Sequence, residues 1–469
     1  MTQTELTPTA LLTGKWKTYP GYKDSGVEWL GKIPVHWKVE RLKNTVLACL
    51  NGIWGEEPVN DGSDIVCIRV ADFDRTRNRV VNSNLTFRSI SSNQQQNRML
   101  EHGDLLLEKS GGGELQPVGI VVLYNLDIVA VSSNFIARMP VAKGFDPIFL
   151  CYVHSVLYSA RLNRRSIKQN TGIQNLDSYT YLCEKVPLPT LQEQHTIAAF
   201  LDHETTRINT LITKKERLIE LLQEKRAALI SHAVTKGLDP SLPMKDSGVE
   251  WLGEIPKHWE VKRMKYVAKQ ETGHTPSRQH PEYWEDCTIP WISLADVWQL
   301  RNGHREYIED TNEYISELGL ANSSAQLLPA GTVIVSRTAS VGFSGIMAQP
   351  MATTQDFSNW VCGPLIRSEF LLYVFRSMEQ EFRRLVMGST HQTIYMPDIR
   401  RFITPVPPCH EQDAIVGYIR KETAKIYALI SKIREGVEKL KEYSSALISA
   451  AVTGKIDVRE TISDLLDVR

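Results

Sequence analysis

Two stretches of this chain repeat a core-type position every seventh residue. Leu201, Ile208, Lys215, Leu222 and Leu229 form one row, and Ile419, Ile426, Ile433, Leu440 and Leu447 form the other. Strict heptad spacing of aliphatic residues predicts two helices with a coiled-coil seam. The companion row is read as Glu204, Leu211, Leu218, Lys225 and His232 in the first helix. In the second it is read as Glu422, Leu429, Gly436, Tyr443 and Ala450. Pro187 and Pro189 stop whatever precedes the first helix, and Pro405, Pro407 and Pro408 do the same for the second. Each helix then runs about 40 residues, roughly 60 Å, which is too long for one small domain to cover. The two are therefore expected to pack on each other, antiparallel, with Lys215 and Gly436 as register-setting points in the seam.

Outside these helices the pattern shifts to short alternating or fully apolar runs of strand length. Ile65–Val70, Asp104–Leu107 and Ile120–Leu123 precede the first helix, and Thr332–Val335 and Trp360–Cys362 precede the second. The chain also repeats itself. KDSGVEWLG occurs at Lys23–Gly31 and Lys245–Gly253, and over Lys23–Lys43 and Lys245–Lys265 16 of 21 positions are identical. Leu191–Pro240 matches Cys409–Val458 at 20 of 50 positions, including Glu193-Gln194 with Glu411-Gln412. The segments between these blocks barely resemble each other. Trp29, Pro34 and Trp37, with Trp251, Pro256 and Trp259, are read as buried anchors in preference to a ligand cage.

The resulting expectation is an α+β fold with a pseudo-twofold internal repeat. It comprises a head over residues 1–187, a long helix in 188–240, a second head over 241–404, a second long helix in 405–460, and a tail at 461–469. Antiparallel helices would set the heads at opposite ends of a spacer.

Candidate contact residues lie where the heads differ. After Gly103–Leu107 comes Lys109-Ser110-Gly111-Gly112, and after Gly331–Val335 comes Arg337-Thr338-Ala339-Ser340. Small polar loops with one cation suit phosphate contact, and equally suit a plain surface turn. Near the end of each head a basic cluster (Arg164, Arg165, Lys168; Arg383, Arg384) precedes a polar loop carrying Gln174 and Asn175, or His391 and Gln392. Such side chains read base edges, although a basic run is also the usual face of a solvated helix.

Charge changes little: 54 Lys/Arg balance 54 Asp/Glu, which excludes a generic polycation but not a local basic stripe. The seven cysteines are scattered without a Cys-x-x-Cys pair, so reduced structural thiols are expected. No signal-like start and no run of 18 apolar residues is present, which points to a soluble cytoplasmic protein without a membrane partner. There is no phosphate loop, His-Glu-x-x-His, Gly-x-Ser-x-Gly elbow or dinucleotide fingerprint. No catalytic residue and no metal site is expected on this chain.

With its opening block at Tyr22–Gly31 and the copy, the chain resembles the DNA-specificity subunit of a type I restriction-modification enzyme. The Pro-x-Pro-x-x-Glu-Gln heads of both helices (Pro187, Pro189, Gln192, Glu193, Gln194; Pro405, Pro407, His410, Glu411, Gln412) and the closes at Ala228–Gly237 and Ala446–Gly454 carry the same resemblance. It implies two target-recognition domains that each read one half of a bipartite site in double-stranded DNA, with the helices fixing the gap. It also implies two modification subunits bringing S-adenosylmethionine and the methyltransferase site, and two restriction subunits bringing ATP- and Mg-dependent translocation and cleavage. The dissimilar heads lead to an asymmetric target. A coiled-coil scaffold that reads no DNA is the competing reading.

Overall fold

The computed structural model describes residues 16–170, 172–386 and 392–460. It is a mixed α/β structure with two long helices, Leu191–Lys236 and Cys409–Val452. The chain divides into two compact units that do not follow the serial order of head and helix. One takes the described residues up to Lys215 together with those from Glu435 onward, and the other is Glu216–Arg434. Each unit thus contains one head, about half of the first long helix and about half of the second. Among the described residues, no helix is long and apolar enough to cross a membrane.

In the first unit the continuous apolar run Leu105-Leu106-Leu107 is wholly buried, as a strand covered on both faces must be. It lies inside a six-stranded sheet ordered Leu50–Asn51, Ile136–Met139, Leu105–Glu108, Val121–Leu123, Arg79–Val80, Phe73–Asp74. The helix Pro147–Ser159 shares one hydrophobic core with this sheet, supplying Phe149, Leu150 and Val153. The second unit has a five-stranded sheet, ordered Ala268–Thr272, Phe357–Cys362, Val333–Ser336, Ser344–Met347, Tyr307–Ile308. Its helix Ser368–Ser377 supplies Phe370, Leu371 and Val374 to the core.

The repeated opening blocks fold alike. Tyr22–Asp24 and Lys32–Pro34 form a hairpin, and so do Met244–Asp246 and Glu254–Pro256. The following strand, Lys38–Arg41 or Glu260–Arg263, pairs with the strand that leads into the unit's own long helix. Trp37 and Trp259 are completely buried. Trp37 Nε1 donates to Glu193 Oε1 at 3.1 Å, and Trp259 Nε1 donates to Glu411 Oε2 at 2.9 Å. Both carboxylates stand in the first turn of a long helix, where the dipole favours negative charge. The neighbouring glutamines do equivalent work. Gln194 accepts from the Asp146 N–H and donates to Pro189 O, while Gln412 accepts from the Arg367 N–H and donates to Pro407 O.

The same tryptophans also receive the end of the other long helix within their unit. A Cβ at Gly454 would lie 2.5 Å from Pro34 Cδ and 3.1 Å from the Trp37 ring; at Gly237 it would lie 3.2 Å from the Trp259 ring. Lys455 Nζ then donates to Leu30 O and Lys32 O, and Lys236 Nζ donates to Leu252 O and Glu254 O.

Burial along the long helices matches the expected companion row at Glu204 and Ala450, which are buried, and corrects it at its leucines. Leu201, Ile208, Ile419, Ile426, Ile433 and Leu447 are buried, and Leu222, Leu229 and Leu440 are partly so. Leu211, Leu218 and Leu429, however, are 43%, 43% and 45% exposed. The buried companions stand one residue later, at Ile212 (partly), Ile430 and Val437. Apolar spacing alternates three and four, so a count of three from the wrong row puts the companion on the solvent side. Gly436 leaves space for a long neighbour: a Cβ there would sit 3.7 Å from Lys215 Nζ.

Gly26 and Gly454 have nearly the same backbone, φ 66° and 69°, but Gly26 has nothing within 4 Å of its Cβ direction. Gly26→Ala should cost only the left-handed strain, about 1–2 kcal/mol. Gly454→Ala meets Pro34 as well and should cost clearly more in urea unfolding; equal costs would show that the close contact is unimportant.

Candidate nucleic-acid interface

The strand Leu105–Glu108 runs out into Lys109 and the short strand Ser110–Gly111. That short strand pairs antiparallel with Ile173–Leu176, placing Ser110 opposite Asn175 and Gly111 opposite Gln174. A third strand, Ile167–Asn170, pairs on the other side, with Lys168 opposite Asn175. Two segments some 60 residues apart, each singled out in the sequence, therefore form one small sheet.

The second unit joins its corresponding segments in the same way. Thr338 bridges to Thr393, Ala339 N donates to Gln392 O at 2.9 Å, and Ile394 N donates to Arg337 O at 2.8 Å. A third loop abuts each pair. Lys109 N donates to Phe135 O at 2.7 Å, and Arg337 N donates to Asp356 O at 2.8 Å. The backbone equivalence is thus Lys109 with Arg337, Gln174 with Gln392, and Phe135 with Asp356. The side chains on this shared backbone differ.

Several candidates are held by local contacts. Lys109 Nζ donates to Asn51 Oδ1 at 2.7 Å, and Ser110 Oγ donates to Asn175 Oδ1. Arg337 Nε donates to Gln355 O at 2.9 Å. Thr338 Oγ1 donates to Asp356 Oδ1, and Thr354 Oγ1 donates to the other carboxylate oxygen. Ser340 O accepts from Ser336 Oγ, closing the turn. Lys168 pairs with Asp177 at 2.7 Å, and that hydrogen bond, with the Thr180 N–H, pulls the Asp177 carboxyl down to about 2.

Among the other candidates, Gln174 needs correction. Gln174 is only 7% exposed, and its Oε1 accepts from Val118 N at 3.3 Å, so it ties the sheet to its neighbour and does not face outward. Gly112 is a steric requirement: at φ 62° its Cβ would meet Val118 N at 2.8 Å and Gln116 O at 2.9 Å. Arg383 and Arg384 are exposed and paired along their own helix with Glu379 and Glu381, both at 2.6 Å, the solvated-face arrangement. Arg164 and Arg165 lie on an exposed turn, and Arg165 lines a pocket with Trp29 and Lys185. His391 falls outside the described residues, while Gln392 is exposed beside the Arg337 loop.

Sequence reading missed the third loop and its neighbours: Asn51 and Phe135 in the first unit, and Gln355 and Asp356 in the second. Phe135 is 49% exposed next to Lys109. Thr275 Oγ1 donates to Gln355 Oε1 at 2.8 Å. No periodicity marks these positions, because only sheet pairing brings them to the Lys109 and Arg337 loops.

One frame thus presents two unlike loop surfaces, one in each unit. Residues 256–439 match the family model described as the type I restriction modification DNA specificity domain. The MjaIX specificity subunit of a type I restriction enzyme from Methanocaldococcus jannaschii is 31% identical over 166 residues, covering 35% of this chain and 38% of that one. The putative MjaX specificity subunit of the same organism is 21% identical over 436 residues, covering 92% and 96%. A solved chain, from work on complex assembly and conformational transition of the type I R-M system, shares the fold. Its TM-score is 0.69 at 17% identity, over 90% of this chain and 99% of that one. Residues 256–439 thus carry the type I restriction modification DNA specificity domain, and over most of its length the chain is similar to specificity subunits of type I restriction enzymes.

Asp177 caps the helix Ser178–Leu182 and also holds Lys168, so its carboxyl is depressed in the folded state. Its stabilising contribution is present above the ordinary value of 3.8 and is lost as pH falls toward about 2. Lys168→Met should return the Asp177 carboxyl toward 3.8 in an NMR titration; an unmoved midpoint would assign the shift to the cap alone.

Proposed function

We propose that the two loop surfaces read different halves of a bipartite, asymmetric site in double-stranded DNA. The observation that carries this reading is the pairing of equivalent backbones with unlike side chains. Lys109, Ser110, Phe135 and Asn175 stand where Arg337, Thr338, Asp356 and Thr393 stand in the second unit. A shared scaffold fixes how each surface meets a duplex, and the changed residues select the bases. Lys109 and Arg337, beside backbone in the left-handed region at Gly111, Gly112 and Ala339, suit phosphate contact. Asn175 and Gln392 are exposed amides of the kind that read adenine in a bidentate way.

The long helices act as an antiparallel coiled coil that sets the gap between half-sites and docks the modification subunits. Support comes from their length and from the buried rows that meet inside each unit. Ile208 shares a core with Leu447, and Ile230 shares one with Ile419. Catalysis belongs to other chains. S-adenosylmethionine and methyl transfer are assigned to two modification subunits, and ATP- and Mg-dependent cleavage to two restriction subunits. The whole assembly would act on DNA in the cytoplasm.

Two experiments test this. Gln392→Ala should cost about 1–3 kcal/mol on the cognate duplex and relax one half-site only, whereas Lys109→Ala should weaken binding to all sequences alike. Methylome sequencing of cells carrying each variant reads the outcome, and a palindromic target, or a uniform loss with Gln392→Ala, would contradict the assignment. Inserting seven residues into both long helices lengthens them by about 10 Å, near the rise of about three base pairs. The permitted gap should grow by that amount with both half-sites intact; an unchanged gap would rule out the spacer role.

A further inference from the structure

The joints between each head and the start of its own long helix share their tryptophan, glutamate and glutamine contacts, but their ion pairs are reversed. In the first unit the helix carries the acid. Asp202 takes Arg79 Nη2 on both oxygens, at 3.1 and 3.2 Å. In the second unit position 420, the equivalent of 202 at the repeat offset of 218, carries the base. Arg420 reaches Glu306 at 2.7 Å and Glu369 at 3.6 Å. Arg79 lies in, and Glu306 just before, the strand that pairs parallel with Val121–Leu123 or Ser344–Met347 in its head's main sheet.

A tyrosine at the same place on the sheet-covering helix follows the carboxylate to whichever side it occupies. Tyr152 OH donates to Asp202 at 2.7 Å, and Tyr373 OH donates to Glu306 at 2.6 Å.

One heptad earlier the acid again changes sides. His195 of the first helix faces Asp146 at 3.5 Å, while Asp413, 218 positions later, faces Arg367 at 3.3 Å. Asp146 and Arg367 are themselves equivalent, since their backbone N–H groups bind Gln194 and Gln412. The head-side partners are the more buried in the first pair, at 18% for Arg79 and 15% for Glu306, so a mismatch there is poorly relieved by water.

We propose that these two reversed pairs key each head to its own long helix. A head seated on the other helix would set Arg79 against Arg420 and Asp146 against Asp413, or Glu306 against Asp202, with Arg367 facing an imidazole in place of an acid. The shared contacts would let either head dock, and the charges determine which one stays.

The test uses the full chain without DNA, so its failure is independent of the DNA-reading assignment. Asp202→Arg should lower the calorimetric unfolding midpoint of the first unit by roughly 2–4 °C, and by less in 1 M salt, where screening shortens to about 3 Å. Adding Arg79→Glu should recover most of that loss by rebuilding the arrangement of the second unit. Arg420→Asp with Glu306→Arg is the mirror pair. Recovery in both pairs supports keying. If neither double variant recovers, or if Asp202→Arg is no worse than Asp202→Asn, the ion pairs do not select between heads.

Discussion

One buried indole bonded to one carboxylate at a helix start, buried at Glu193 and partly exposed at Glu411, organises each unit. Trp37 fills the opening block, and its N–H fixes Glu193 in the first turn of a long helix. Truncating a buried tryptophan costs roughly 3–5 kcal/mol, and here it would also strand an acid with its charge desolvated. The far edge of the same ring, at Cη2, meets Gly454, so a single side chain holds the beginning of one long helix and the end of the other. Trp259, Glu411 and Gly237 repeat the arrangement in the second unit. The near-identity of the two opening blocks follows, because few residues can satisfy two helix ends at once.

That demand on the frame leaves the sheet edges free to vary. The Lys109 and Arg337 loops hang on strands whose register is set by buried residues, so their side chains can change without moving the backbone. Stability and recognition are thereby assigned to different atoms, and an altered base preference need not disturb the core.

Much of this was legible in the chain itself. The repeat located the frame, and the proline stops placed both helix starts within a few residues. Three things were hidden, each for a physical reason. Part of the companion row of the helices was read one position early, because Leu211, Leu218 and Leu429 look like core residues and only packing shows them exposed. Gln174 looked like a base reader because composition does not distinguish an amide facing solvent from one bonded to Val118 N. Phe135 and Gln355 carried no signal, since their proximity to the loops depends on strand pairing across long separations.

The discontinuous make-up of the first unit has a consequence for biogenesis. Lys455 closes on Leu30 across 425 residues, so at ribosomal speed the two meet roughly 20–90 s apart. The second unit, by contrast, is one contiguous segment, Glu216–Arg434, and is fully synthesised before the first unit has its last part. The N-terminal head therefore spends the whole of that interval with Trp37 and its neighbours uncovered on one side. In this protein the half made first is finished last, and the chain is most exposed to proteases and misassembly just before its final helix arrives.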